Sequence, residues 1–308
     1  MPNFGWSVFF SCLLTGCGIA GVCPQPHVND PQAAKTWSRL AEATIGGVYD
    51  HPVRLAEGQF SGAPFVTGGQ SRPMLRLWPE LFAIGNLDGD PGDEIVGLLS
   101  ETSGGSGERV YLLAGKLSGD TLEVLPAKLV GDRVKVRALQ IEDRKIILDI
   151  VEAGKQEPLC CGTTLTREIW TLHPDGLRLA DKISQGRLSL RIIEDRTWQL
   201  VDNGATDAPA DADCTTLAVS AGQITGSDRG KRYTGRIVEA APGQIAISDL
   251  TGLTERGHDA PDARAKAYLE LLASVTQYTF LAGRLTLVLF RAGRPVTLKF
   301  APAVVRTP

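Results

Sequence analysis

Along most of the chain, apolar residues recur at every second position or in short solid runs. Glycine and proline cut both patterns before they reach helical length. Val134, Val136 and Ala138 alternate with Lys135 and Arg137, the period of a strand with one wet face. Residues 145–151 return as a more buried strand. Residues 94–99 and 109–114 read as a hairpin across a small-residue turn at 102–107, and residues 285–289 and 296–300 as another around Ala292 and Gly293. Shorter strands are predicted over 53–55, 60–66, 74–77, 81–84 and 165–172, the last closed by the tight turn His173-Pro174-Asp175-Gly176. Two stretches carry a helical period. Residues 31–43 open with Asp30 as N-cap and Pro31 in the first turn, share an apolar face of Ala34, Trp37, Leu40 and Ala41, and stop at Gly46 and Gly47. Residues 259–275 open near Pro261 and align Tyr268, Leu271, Leu272 and Val275.

This pattern predicts a mainly β, α+β chain with two β-rich domains, over residues 31–182 and 187–303, joined by a Lys-, Ser- and Gly-containing linker at 182–187. A length of 308 residues lets each domain bury its own core. The net charge of -3 supplies no basic field, which argues against a nucleic-acid partner. The basic cluster Arg229, Lys231, Arg232 and Arg236, with Asp228 interspersed, reads as a solvated turn. Trp170 and Trp198 fall within strand patterns and read as core.

The most specific local signal lies within residues 81–113. With Asn86 as position one, oxygen-bearing side chains fall at one, three, five and nine (Asn86, Asp88, Asp90, Glu94), and the Gly92 carbonyl falls at seven. Calcium takes six to eight such oxygens in flexible geometry, so Ca2+ is a candidate cofactor of this loop. The loop is no EF-hand, because Gly97 stands at position twelve and Pro91 at position six. The competing reading is a turn whose side chains cap their own backbone. Catalysis finds little support. His27, His51, His173 and His258 are scattered, and no G-x-S-x-G, H-E-x-x-H or phosphate loop occurs. Ser103-Gly104-Gly105-Ser106-Gly107 joins two strands and opens no helix, so it reads as a hairpin tip.

Residues 4–14 form an apolar run too short to span a bilayer, followed by Leu14-Thr15-Gly16-Cys17. That tetrapeptide resembles a bacterial lipobox. The resemblance implies a signal peptide and lipidated cysteine over residues 1–17, with acyl chains on Cys17 holding the protein on a membrane without a transmembrane helix. Residues 18–30 then form a tether. Gly18 is not the aspartate that retains lipoproteins in the inner membrane, so the expected address is the outer membrane, facing the periplasm. With Cys12 removed and Cys17 acylated, four cysteines remain: Cys23, Cys160, Cys161 and Cys214. An even count in an oxidising compartment predicts two disulfides. A bridge between the adjacent Cys160 and Cys161 would strain the backbone, so each is expected to point its own way and to pair with Cys23 or Cys214.

Four motifs in order, Gly85-Asn86-Leu87-Asp88-Gly89-Asp90, Ser103 to Gly107, Leu129-Val130-Gly131-Asp132-Arg133-Val134 and Leu159-Cys160-Cys161-Gly162, resemble an uncharacterised module of bacterial envelope proteins often found beside a META domain. The family pattern has Asp at Asn86, Gly at Pro91 and Pro at Gly162. Further on, Thr197-Trp198-Gln199-Leu200, Ile224-Thr225-Gly226 and Tyr233-Thr234-Gly235, with the helix and the final strands, resemble the META domain of heat-inducible lipoproteins. That resemblance implies a β-barrel or strongly curved sheet with one packed helix. Gly230-Lys231-Arg232 and Glu255 to His258 stand where the family has cysteines, whose role is not carried over. Together these readings imply a non-enzymatic envelope lipoprotein, a binding or structural module in outer-membrane maintenance or stress response, with an envelope protein or glycan as partner. The alternatives are an envelope glycan hydrolase acting through carboxylates, and an inhibitor or binder of an exogenous protein.

Overall fold

The computed structural model describes residues 31–119, 121–194, 196–204, 215–228, 231–253 and 263–303. Helix α1 (Pro31–Ala41) leads into a small ribbon of β1 (Thr44–Ile45) and β2 (Val53–Arg54). The helix ends sooner than its period predicts. Thr44 and Ile45 are β-branched and lose rotamer freedom in a helix, and here they pair with Arg54 and Val53. Leu40 and Ala41 are buried as expected, whereas Ala34 is exposed and Thr36 is buried.

An antiparallel sheet follows, built from β3 (Gln59–Ser61), β4 (Met74–Gly85), β5 (Glu94–Thr102), β6 (Arg109–Ser118) and β7 (Thr121–Val124) in that order, with β8 (Lys128–Asp132) also on β6. The expected hairpin of β5 and β6 is present, with Glu94 opposite Lys116 and Glu101 opposite Arg109. A second antiparallel sheet contains β9 (Lys135–Glu142), β10 (Lys145–Glu152), β11 (Thr164–His173) and β12 (Gly176–Arg187), in the order β12-β11-β10-β9. The two sheets enclose one core, with Val96, Leu98 and Leu112 from the first and Ile146, Leu148 and Trp170 from the second. A separate cluster joins Ile95, Leu99 and Leu113, on the other face of the first sheet, to Leu40 of α1. Gly97 makes that contact possible, since a Cβ there would stand 3.2 Å from the Leu40 side chain.

Residues 182–187 form no linker. They continue β12 to Arg187, paired with β11. Beyond its first two residues this edge strand is exposed on both faces, so it carries no apolar alternation. Ion pairs hold it instead: Lys182 reaches Glu152 and Glu168, and Arg187 reaches Glu157.

After a short 3-10 turn (Leu190–Ile192), eight strands close a barrel: β13 (Thr197–Asp202), β14 (Thr216–Ser220), β15 (Gln223–Asp228), β16 (Lys231–Ala241), β17 (Gln244–Leu253), β18 (Val275–Leu281), β19 (Arg284–Arg291) and β20 (Arg294–Pro302). β20 returns to pair with β13, which leaves the barrel without an edge. Helix α2 (Ala263–Ala273) precedes β18 and adds Tyr268 and Leu272 to the barrel core. Its expected start at Pro261 lies outside the described residues, and Val275 opens β18 instead of ending the helix. Trp198, Tyr278 and Phe300 are fully buried, so side chains fill the interior.

The domains share their cores. Ala282, at the β18–β19 turn, belongs to the sandwich core, while Val151 and Leu165 of the second sheet belong to the barrel core. Gly283 donates its backbone N–H to the Val136 carbonyl at 3.0 Å, and Arg284 pairs with Glu80 at 3.4 Å.

The barrel also explains the glycine of the Ile224-Thr225-Gly226 motif. A Cβ at Gly226 would collide with the Thr216 carbonyl oxygen and the Tyr233 ring, and Tyr233 donates its hydroxyl to that same oxygen at 2.7 Å. Gly226→Ala is therefore expected to destabilise the protein by about 1–3 kcal/mol, the usual cost of overpacking. Urea unfolding of the variant against wild type measures it, and an unchanged midpoint would contradict the packing described.

Candidate functional site

The period of two decides which side chains reach the open end of the sandwich. On β5, Glu94 shares its face with Val96 and Leu98, which point into the inter-sheet core. On β6, Lys116 shares its face with Leu112 and Ala114. Glu94 and Lys116, cross-strand partners, are thus the last members of two inward-facing rows. Around them the β9–β10 turn brings Arg144 and Lys145, and the β11–β12 turn brings His173, to one open cleft of about 720 Å³ that also takes in Asp88 and Asp90.

The loop between β4 and β5 folds on its own side chains. Leu87 is buried and pins it from below, with its backbone N–H donating to Glu94 Oε2 at 2.7 Å. Gly89 N–H donates to Asn86 Oδ1 at 2.8 Å, and Asp90 N–H to Asp88 Oδ1 at 2.9 Å. Asn86 Nδ2 donates to the carbonyls of Asp90 and of Gly92. An ammonium supplies the local cation: Lys116 Nζ binds Asp88 Oδ2 and lies 3.4 Å from Asp90 Oδ2. Its donated hydrogen bond holds the Asp88 carboxyl below the usual carboxylate range, and Asp88 raises the Lys116 pKa in return.

Of the five residues expected to bind calcium, four sit in the β4–β5 loop and Glu94 opens β5, and they do not converge. Asn86 and Gly92 are bonded to each other, and Asp88 and Asp90 to Lys116, while Glu94 turns inward. Among the described residues, no three Asp, Glu, His or Cys side chains converge as a metal cluster. Glu94 is only 1 % exposed, and its Oε1 has no hydrogen-bond partner. A buried carboxylate oxygen without a donor is costly and calls for one.

The glycosidase alternative needs two carboxylates facing each other across one cleft; Asp88 and Asp90 share the cleft, but both turn to the Lys116 ammonium. A general acid also needs a raised pKa, and Asp88 moves the other way. His173 Nε2 contacts the Thr171 hydroxyl at 3.1 Å. Sequence reasoning singled out the acidic loop but missed Lys116, Arg144 and His173. For Lys116 a signal existed, since the hairpin register alone sets it opposite Glu94.

The cysteines require a correction. Cys160 and Cys161 are bonded to each other in a vicinal disulfide. In an extended strand their side chains would diverge, but here they end a 3-10 turn (Leu159–Cys161), where Cys161 N–H donates to the Pro158 carbonyl at 3.0 Å. Helical winding puts neighbouring side chains about 120° apart, at three residues per turn, instead of on opposite faces. Cys17, Cys23 and Cys214 lie outside the described residues, as does Arg229. Arg232 and Arg236 are exposed on β16, whereas Trp170 and Trp198 are buried.

Residues 191–302 match the family model of the META domain. That match covers the C-terminal barrel. It accounts for about the last third of the chain, and the candidate cleft lies outside it, in the N-terminal sandwich. Among solved structures, a DUF4847-family protein from Bacteroides vulgatus is 15 % identical over 36 % of this chain and 95 % of its own, with a TM-score of 0.28. A protein from Burkholderia xenovorans, solved by NMR, is 19 % identical over 44 % of this chain and 98 % of its own, with a TM-score of 0.29. Likeness at that level carries no weight for function. No curated protein matches the chain.

Glu157 holds the cysteine turn to the strands beneath it. It accepts hydrogen bonds from the backbone N–H of Gly154 at 3.0 Å and of Thr163 at 2.8 Å, and from the Thr163 hydroxyl, and it pairs with Arg187 at 2.7 Å. These bonds, the Gly154 N–H foremost, lower its pKa from 4.5 to about 2. A carboxyl whose folded pKa is depressed contributes stability above its unfolded value, and that contribution is lost as pH falls through the folded one. Wild-type stability is therefore expected to decline between pH 4.5 and about 2, and Glu157→Gln to flatten that decline. Thermal midpoints measured across the window provide the check; superimposable pH profiles would contradict it.

Proposed function

We propose that the chain is a non-enzymatic binding protein of the bacterial envelope, anchored to the outer membrane through acyl chains on Cys17. Its ligand is taken at the open end of the N-terminal sandwich, and its role is in envelope maintenance under stress. The META-domain match and the lipobox-like Leu14-Thr15-Gly16-Cys17 support the envelope address. The binding reading rests on one observation: Glu94, buried at the cleft, keeps an oxygen without a donor.

The group that fits there is an ammonium. A charge-assisted bond to a buried carboxylate is worth about 1.5–3 kcal/mol, more than a neutral donor gives. Arg144 and Lys145 in the same cleft suit the oxygens of the same ligand. An amino-glycan and a lysine side chain of an envelope protein share this chemistry. Calcium is the other cation the loop would take, by exchange with the Lys116 ammonium.

Calorimetric titration with a glucosamine tetramer, its N-acetylated counterpart and tetralysine separates these sources. Saturable binding of an amine-bearing probe, weakened about tenfold or more in Glu94→Gln, is expected. Glutamine keeps an acceptor for the Leu87 N–H, so the loop survives the change. No binding, equal binding of the N-acetylated tetramer, or an indifferent Glu94→Gln would sink the ammonium site. A thermal shift produced by millimolar calcium alone would assign the loop to the metal. Independently, mass spectrometry of membrane-extracted protein is expected to find Cys17 acylated at the new N-terminus, and an unmodified Cys17 would remove the anchor.

A further inference from the structure

The opposite end of the β5–β6 hairpin opens onto a second concavity of contrary charge. Where the sandwich meets the β18–β19 turn, a cavity of about 470 Å³ and a smaller one of about 140 Å³ share Trp78, Glu108, Leu281 and Ala282 as walls. They form one elongated trough between the domains, a preferred setting for ligand sites. Its charge is mostly positive. Arg133 and Lys135 line the larger part, and Arg76, Arg284 and Lys299 the smaller, against Glu80 and Glu108.

Three of these cations have local partners: Arg133 with Asp132, Arg284 with Glu80 and Lys299 with Asp202. Arg76 and Lys135 have no carboxylate partner among the described residues. Arg133 also holds a left-handed φ of 54°, unusual for a residue with a side chain. Its backbone N–H donates to Glu108 O and its Nε to Ser106 O, which aims the side chain along the trough.

We propose that this interdomain trough binds an acidic oligosaccharide, with its carboxylates on the spaced cations and the apolar faces of its sugar rings against the exposed Leu281, above a floor that includes the edge of the buried Trp78. Length favours a chain over a compact anion, because the cations are divided between two joined cavities. An acidic peptide fits less well. Extended peptides gain affinity by adding to a free sheet edge, and the edge of β9 beside the trough already accepts the Gly283 N–H at Val136 O. The site lies six residues along β5 from Glu94, about 20 Å at 3.3 Å per residue, and is separate from the cleft above.

The test uses the mature full-length chain and three probes: trigalacturonate, neutral maltotriose and triglutamate. Trigalacturonate is expected to bind with a change in tryptophan fluorescence that Trp78→Phe abolishes, and to bind about tenfold more weakly in Arg76→Gln/Lys135→Gln and at high salt. Glu94→Gln, at the other end of the strand, is expected to leave this binding unchanged. Arg76 is exposed and Lys135 half-buried, and an unchanged unfolding midpoint confirms that the fold is kept. Absence of trigalacturonate binding, equal binding of maltotriose, tighter binding of triglutamate, or an unaffected double variant would each overturn the assignment.

Discussion

A strand buried on both faces cannot be satisfied by a single layer, and β5 is such a strand from Glu94 to Glu101. Val96 and Leu98 need a cover on one side, Ile95 and Leu99 on the other. Each leucine moved from water to that interior contributes about 1.5–3 kcal/mol, so neither face can be left wet. The second sheet covers the first face and α1 the second, with Gly97 admitting Leu40 between its neighbours. The layer order of the N-terminal domain follows from this requirement. So does the position of its cleft, because the apolar rows must end where polar residues begin, and they end at Glu94 and Lys116.

How much of this could be read in the sequence depends on how far each signal is local. The β5–β6 hairpin, the β9–β10 turn, the terminal hairpin and the buried tryptophans were legible, since alternation and turn residues act over a few positions. The acidic loop was legible as a loop, yet its cation was not. Lys116 is 28 residues from Asp88, and only the folded hairpin brings them together. The end of β12 read as a linker because an edge strand held by ion pairs leaves no hydrophobic record. The adjacent cysteines read as divergent because an extended backbone was assumed where the chain winds into a 3-10 turn. In each case the missing information was a long-range pairing or a local change of winding, neither of which composition carries.

The barrel adds to the sandwich instead of standing beside it. Its interior is filled by Trp198, Tyr278 and Phe300, and it is sealed further by the Tyr233 and Tyr268 hydroxyls 3.2 Å apart. Burial raises both phenol pKa values, which suits protonated hydroxyls bonded to each other and to the Thr216 carbonyl. With its interior filled by these side chains, the barrel contributes to the trough from its outside. The β18–β19 turn makes that contribution, by closing the trough and placing Ala282 in the neighbouring core.

That shared core also bears on whether the two ends of the hairpin could influence each other. Coupling between distant sites needs an element with two stable arrangements. Between Glu94 and Ser100 lies strand packed on both faces, with Val96, Leu98 and Leu99 wholly inaccessible. Arg137 is the better candidate for a responsive contact, because its guanidinium lies 5.6 Å over the Phe280 ring and its buried Nε has no acceptor. Burial lowers its pKa, opposed by Asp149, while Arg196 and Arg167 repel it. This contact crosses from β9 to β18, at the packed seam between the domains, and not along the strand between the sites.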